Sequence, residues 1–298
     1  MIKGSIVALI TPFHEDGSVN YEKLRELILW HIEEGTDGLC ILGTTAETPS
    51  LTVTERDRIA EVSIETVNKR IPIIVGSGSN NTMVAKEQSI KYEGMGADGL
   101  LVITPYYNKT NKAGMIHHFT EIADAVSIPI IMYNVPGRTG CSLTYEALKE
   151  LSRHKNIAGI KEASGDISFV SKVARLAGED FALYSGNDDM IVPLMSVGGA
   201  GVISVAANII PAEMHRLAAA YLNGNVQLAR DLQLKYLDLI NALFIETNPI
   251  PVKEAMNIMG MDVGKYRLPL YEMDRGAREQ LLAAMGVLFK EIMMRKAV

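Results

Sequence analysis

A chain of 298 residues, 48% hydrophobic and 21% charged, has the makeup of a globular protein with room for one sizeable core. A net charge of -6 with no dense Lys/Arg block argues against nucleic-acid binding and against an anionic membrane surface, so a small anionic substrate would need local positive groups. No apolar run approaches the ~18 residues of a membrane span, and the stretch after Met1-Ile2-Lys3-Gly4-Ser5 is too short for a signal peptide's core, so a cytoplasmic location is expected. Cys40 and Cys141 lie far apart with no CxxC partner and read as small side chains in a reducing compartment.

Along the chain, eight runs rich in Val, Ile and Leu recur at 5–10, 38–42, 71–75, 99–103, 128–133, 157–160, 181–184 and 201–205. They are nearly continuous rather than alternating, as strands of a parallel sheet covered on both faces are. Between them lie amphipathic stretches. Residues 21–34 set Leu24, Leu27, Ile28 and Ile32 at helical spacing, and residues 54–68 open on Thr54-x-x-Asp57, a capping-box pattern. The repeated strand–helix alternation predicts an α/β fold, a closed (β/α)8 TIM barrel over residues 1–224. Helical patterns at 226–242, 250–259 and 275–296 predict a small C-terminal helical domain over residues 225–298. Asn248-Pro249-Ile250-Pro251 interrupts it, since proline restricts its predecessor and lacks an amide donor.

Active sites of such barrels sit at the C-terminal ends of the strands. Lys161 directly follows Ile157-Ala158-Gly159-Ile160, which puts an amine at the barrel mouth, where apolar neighbours disfavour its charged form. A neutral amine attacks ketones, and the protonated imine eases enamine formation, the logic of a class I aldolase. A solvated lysine, or one paired with Glu162, fits the position equally well. Tyr133 ends the preceding strand and could act as general acid or base, or cap the core. Thr44 and Thr45 offer hydroxyls and amides for relaying protons and cradling a carboxylate. Arg138, within Val135-Pro136-Gly137-Arg138-Thr139-Gly140, offers a planar fork for a second carboxylate, or is a surface arginine.

Tyr106-Tyr107 suits an interface. Gly198-Gly199-Ala200-Gly201 precedes the eighth strand and reads as close backbone packing rather than a phosphate cradle. The six histidines show no HxH or HExxH spacing, and Asp188-Asp189 reads as a solvated loop pair, so no metal is expected. Gly76-Ser77-Gly78-Ser79-Asn80-Asn81 matches GxGxxG only in part, and no cofactor is expected.

Taken together, Gly43-Thr44-Thr45, Thr104-Pro105-Tyr106-Tyr107, Tyr133-Asn134-Val135-Pro136-Gly137-Arg138-Thr139-Gly140, Gly159-Ile160-Lys161-Glu162-Ala163, Gly201-Val202-Ile203-Ser204-Val205 and Asn248-Pro249-Ile250-Pro251-Val252-Lys253 carry a resemblance. Across essentially its whole length the chain resembles the dihydrodipicolinate synthases, of the pyruvate-dependent class I aldolase superfamily. The resemblance implies condensation of pyruvate with L-aspartate 4-semialdehyde to 4-hydroxy-tetrahydrodipicolinate, in lysine and diaminopimelate biosynthesis, by a homotetramer built as a dimer of dimers. It implies that Lys161 forms the imine and that Tyr133, Thr44 and Tyr107 relay protons, Tyr107 coming from a neighbouring subunit. It further implies that Thr45 binds the pyruvate carboxylate and Arg138 the semialdehyde carboxylate, with Ile203 and Gly186 also lining the substrate site.

Two departures stand out. Ala46 replaces the glycine usual in Gly-Thr-Thr-Gly-Glu, and Val53, Arg56 and Val84 replace the His and Glu side chains of lysine-inhibited members, so weak or absent lysine inhibition is expected. The rival readings are a lyase of N-acetylneuraminate or of 2-keto-3-deoxy sugar acids, which would use the same lysine, and a noncatalytic barrel that binds a keto acid.

Overall fold

A computed structural model describes residues 2–288 of the chain. The eight apolar runs form eight parallel strands: β1 Gly4–Ala8, β2 Gly38–Ile41, β3 Ile73–Gly76, β4 Gly99–Ile103, β5 Ile130–Asn134, β6 Ile157–Glu162, β7 Ala182–Ser185 and β8 Gly201–Ser204. Each pairs with the next, and β8 returns to β1 to close the barrel. Both faces are covered, which is why the runs do not alternate with polar residues. Val7, Leu39, Leu100 and Met132 belong to the main core, whereas Ile6, Cys40, Ile74, Leu101 and Ile203 form a separate cluster inside the barrel.

Closure makes local demands at each rim. Gly201 sits at φ 149°, and a side chain there would meet the Gly4 carbonyl oxygen at 1.9 Å, so the glycine-rich run before β8 is indeed close backbone packing. Past the opposite ends of the strands, Asn208 joins β1 to β8. Its amide donates to Ala8 O at 2.8 Å and Val205 O at 2.9 Å, while its Oδ1 accepts from Ile10 N at 3.2 Å.

The structure departs from the sequence expectations at several boundaries. Strands β5 and β6 run on to Asn134 and Glu162, so Tyr133 lies within its strand, one residue short of its end, and Lys161 lies within β6 rather than just after it. Reading a strand as an apolar run ends it at its first polar side chain, but the backbone ladder pairs Tyr133 with Lys161 and Asn134 with Glu162 regardless. The helix expected at 54–68 is Val53–Val67 and its capping box is Thr52 with Glu55, not Thr54 with Asp57. The Thr52 hydroxyl accepts from Glu55 N at 3.3 Å and Glu55 Oε2 accepts from Thr52 N at 2.9 Å.

The stretch 226–242 divides at Tyr236 into Val226–Lys235 and Leu237–Ala242. Hydrogen bonds from Tyr236 N to Leu232 O and from Ile240 N to Tyr236 O span the junction, so the path bends rather than stops. Further helices follow at Ile250–Ile258 and Arg275–Ala284; of the helix expected at 275–296, residues 289–296 lie outside the described residues. Among the described residues no helix is long and apolar enough to cross a membrane.

Candidate active site

Strand register builds the centre of the site. It aligns Ile103, Tyr133, Lys161 and Tyr184 across β4 to β7, and aligned residues of parallel strands face the same way, here into the barrel. Lys161 is only 5% exposed, and its ammonium stands 4.4 Å from the centroid of the Tyr133 ring. That burial removes the solvated-lysine reading.

Glu162, one residue on, points to the other face and is committed elsewhere: its Oε2 accepts from Asn134 Nδ2 at 2.8 Å and its Oε1 from Ser164 N at 2.6 Å. Burial raises its pKa above the usual carboxylate value. A Lys161–Glu162 pair is therefore not what the strand makes. Cys40 shares the interior, but burial pushes its thiol up to about 11, which keeps it protonated and a poor nucleophile.

Gly186, just past β7, closes against the lysine. A side chain there would stand 2.6 Å from Ala163 Cβ and 3.1 Å from Lys161 Cε, so only glycine leaves the lysine stem its place. Asp188 follows, buried, with Oδ2 accepting the amides of Val205 and Ala206 at 2.9 Å each. Burial raises its pKa, with hydrogen bonds and the Lys161 charge opposing. Its carboxylate thus ties the β7 loop to the exit of β8, next to Ile203, which is fully buried inside the barrel.

The loop after β2 forms the second part. Left-handed backbone at Leu42 (φ 54°) and Glu47 (φ 55°) brackets a tight turn over Thr44–Ala46. Ala46 is not among the left-handed residues, so the backbone does not require a glycine there. Thr45 is buried and its Oγ1 accepts from Asn248 Nδ2 at 3.0 Å, while Asn248 O accepts from Arg138 Nη2 at 3.0 Å. Asn248 therefore bridges the two residues expected to hold two different carboxylates. Asn248 opens the segment Asn248-Pro249-Ile250-Pro251-Val252-Lys253, but nothing in its local sequence marks it as a bridge.

Among the described residues the Thr44 hydroxyl and the Tyr133 phenol bond neither to each other nor to any other group. Tyr107 is not brought into this cluster. It stands 89% exposed on the loop after β4 with backbone φ 67°, a costly conformation for a bulky residue. Tyr106 is half-buried, so only one ring of the pair is fully presented.

The profile of the Dihydrodipicolinate synthetase family matches residues 1–287. The 4-hydroxy-tetrahydrodipicolinate synthase of Thermoanaerobacter sp. (strain X514) is 56% identical over 287 residues, covering 96% of each chain. That of Caldicellulosiruptor bescii is 52% identical, covering 98% of this chain and 99% of its own. Among solved structures, the 4-hydroxy-tetrahydrodipicolinate synthase of Methylacidiphilum fumariolicum SolV superposes with TM-score 0.96 at 36% identity, over 100% of this chain and 99% of that one. A chloride-inhibited dihydrodipicolinate synthase from Acinetobacter baumannii, complexed with pyruvate, gives TM-score 0.94 at 41% identity, over 96% and 99% of the two chains. Agreement in barrel and in full-length sequence makes the chain an enzyme, and it belongs to the dihydrodipicolinate synthetase family.

Proposed function

We propose that this chain condenses pyruvate with L-aspartate 4-semialdehyde to 4-hydroxy-tetrahydrodipicolinate through an imine on Lys161. The observation that carries the reading is a buried lysine amine that lies against an aromatic face, with the adjacent carboxylate engaged elsewhere. Relatives at 52–56% identity named as the synthase support this reaction over cleavage of a sugar acid.

The Lys161 amine attacks C2 of pyruvate and expels its oxygen as water, giving a protonated imine. The cationic nitrogen withdraws electrons, and loss of a proton from the methyl carbon yields an enamine. That carbon attacks the aldehyde, whose oxygen takes up a proton. The amino group of the semialdehyde then attacks the imine carbon, forming the ring and releasing Lys161. Pyruvate and the semialdehyde thus become the cyclic product and one water.

Tyr133, over which the lysine lies, moves protons at the imine nitrogen and oxygen together with Thr44. Thr45 and the amides of its turn hold the pyruvate carboxylate, Arg138 holds that of the semialdehyde, and Gly186 and Ile203 shape the pocket between them. Tyr107, exposed on the single chain, completes the relay of a second copy within a homotetramer, and the enzyme works in the cytoplasm. The helices after residue 224 form an appendage that fastens the substrate loops.

Lysine inhibition is weak or absent, since Val53 and Val84 are exposed apolar groups and the Arg56 Nε is bonded to Leu51 O at 3.1 Å. An inhibition constant for lysine in the physiological range would overturn this. For the reaction itself, purified enzyme is supplied with both substrates and a downstream reductase, and NADPH oxidation is followed. Steady turnover is expected; folded protein that is silent here but releases pyruvate from a sialic or keto-deoxy sugar acid would reassign the substrate.

A further inference from the structure

The segment Asn248-Pro249-Ile250-Pro251-Val252-Lys253 includes a charged side chain that the reaction above does not use. Lys253, in the helix Ile250–Ile258, is fully buried. Its ammonium meets three oxygens: Glu47 Oε1 at 2.9 Å, Thr11 O at 3.2 Å, and Lys265 O. The Phe13 ring centroid lies 4.3 Å away. The other oxygen of Glu47 accepts from Arg267 N at 3.0 Å, so the ammonium has three acceptors and each carboxylate oxygen has a donor. Burial pushes the Lys253 pKa down to about 8, with Glu47 acting against that shift.

Stability is a poor reason for such a pair, because apolar residues of similar shape generally serve a core as well or better. Its placement gives a better reason. Glu47 terminates the turn Thr44–Ala46 in left-handed backbone, and its amide bonds Thr44 O at 3.1 Å. Thr11 joins in twice, offering its carbonyl to Lys253 and its hydroxyl to Ala46 O at 2.7 Å. From the same C-terminal segment, Asn248 holds the Thr45 hydroxyl. The turn is gripped at Thr45 and at Glu47 by residues five apart in one stretch of chain.

We propose that Lys253 is a positioning residue for pyruvate: through its buried pair with Glu47 it holds the Thr44–Thr45 turn in the shape that receives the pyruvate carboxylate. The proposal rests on the reading of Thr44–Thr45 as that cradle. It assigns to the C-terminal helix control over affinity for the first substrate and not the second.

The double variant Lys253→Met/Glu47→Gln removes both charges while keeping shape, and Lys253→Arg keeps the charge but replaces three convergent protons with a planar fork. Two quantities are measured: the pyruvate concentration that half-saturates borohydride trapping at Lys161, which needs no second substrate, and the KM for each substrate. The double variant is expected to raise the pyruvate values by about tenfold and Lys253→Arg by a smaller factor, with the semialdehyde KM changed less than about twofold. Equal shifts in both KM values, or a lower melting temperature with unchanged pyruvate values, overturn the proposal. Should the double variant fail to fold, unchanged pyruvate values in Lys253→Arg do the same. Thr45→Val separates the two layers. If it leaves half-saturation unchanged, the cradle reading itself fails; if it raises half-saturation and the Lys253 variants do not, only the positioning role is lost.

Discussion

Among the described residues two lysines are withdrawn from solvent, and their surroundings are opposite in kind. Lys161 in β6 and Lys253 in the helix Ile250–Ile258 are 5% and 0% exposed, and each lies over an aromatic ring, at 4.4 and 4.3 Å. Lys253 has every proton directed at an oxygen and a carboxylate in contact. Lys161 has the phenol ring, a glycine beside its stem and a carboxylate neighbour turned away. Burial alone therefore does not make an amine a nucleophile. What matters is whether its protons can be given up without stranding a partner.

The strongest way to break this contrast is Lys161→Ala. Turnover is expected to fall by about 10⁴-fold or more with the fold intact, because the covalent route is gone. Residual activity within tenfold of the parent, in the coupled assay, would remove Lys161 from the chemistry. The reverse effect is expected at the other lysine. Lys253→Met leaves Glu47 buried without its ion-pair partner and should cost about 3–5 kcal/mol in denaturant unfolding, whereas Lys161→Met should cost little or even stabilise. Similar losses from both would erase the distinction.

Acid titration sharpens it at the edge of the same clamp. Glu55 is held down to about 2, chiefly by the hydrogen-bonded Arg267 guanidinium. A carboxyl depressed below its ordinary value stabilises the fold above that value and loses its contribution as pH falls from about 4.5 toward 2. Because the pair is partly exposed the effect is modest, under about 1 kcal/mol, and Glu55→Gln should flatten that part of the stability profile between pH 5 and pH 2. The smallest effect is expected for Glu162→Gln, which should leave imine trapping on Lys161 within about threefold, as its bonds run to Asn134 and Ser164. A large change would restore the Lys161–Glu162 pair as a working contact.

The sequence made one of these lysines legible and hid the other. Lys161 stands at the end of an apolar run that must enter a parallel barrel, and a charge in that place is conspicuous without any knowledge of contacts. Its exact setting was less visible, because an apolar run stops before its backbone ladder does. Lys253 is paired with Glu47, 206 residues away, and no local pattern encodes such a partner. A weaker sign was available: Lys253 lies three residues from both Ile250 and Met256, on the buried face of its helix, where a charge needs a partner. Asn208 and Asn248 were hidden for the same reason, since both act by joining segments distant in sequence. The capping box was misplaced by two residues because Thr52-x-x-Glu55 and Thr54-x-x-Asp57 are alike on paper, and only the former closes both hydrogen bonds.

The distance between Glu47 and Lys253 also gives the enzyme a timetable. A ribosome adding roughly 5–20 residues per second releases all eight strands, the last ending at Ser204, before Lys253 has been made. The barrel can close around Lys161 while the turn proposed to receive pyruvate still lacks its C-terminal fastening. A messenger cut short after β8 would therefore yield a chain that carries Lys161 without the ion pair that fastens the neighbouring turn.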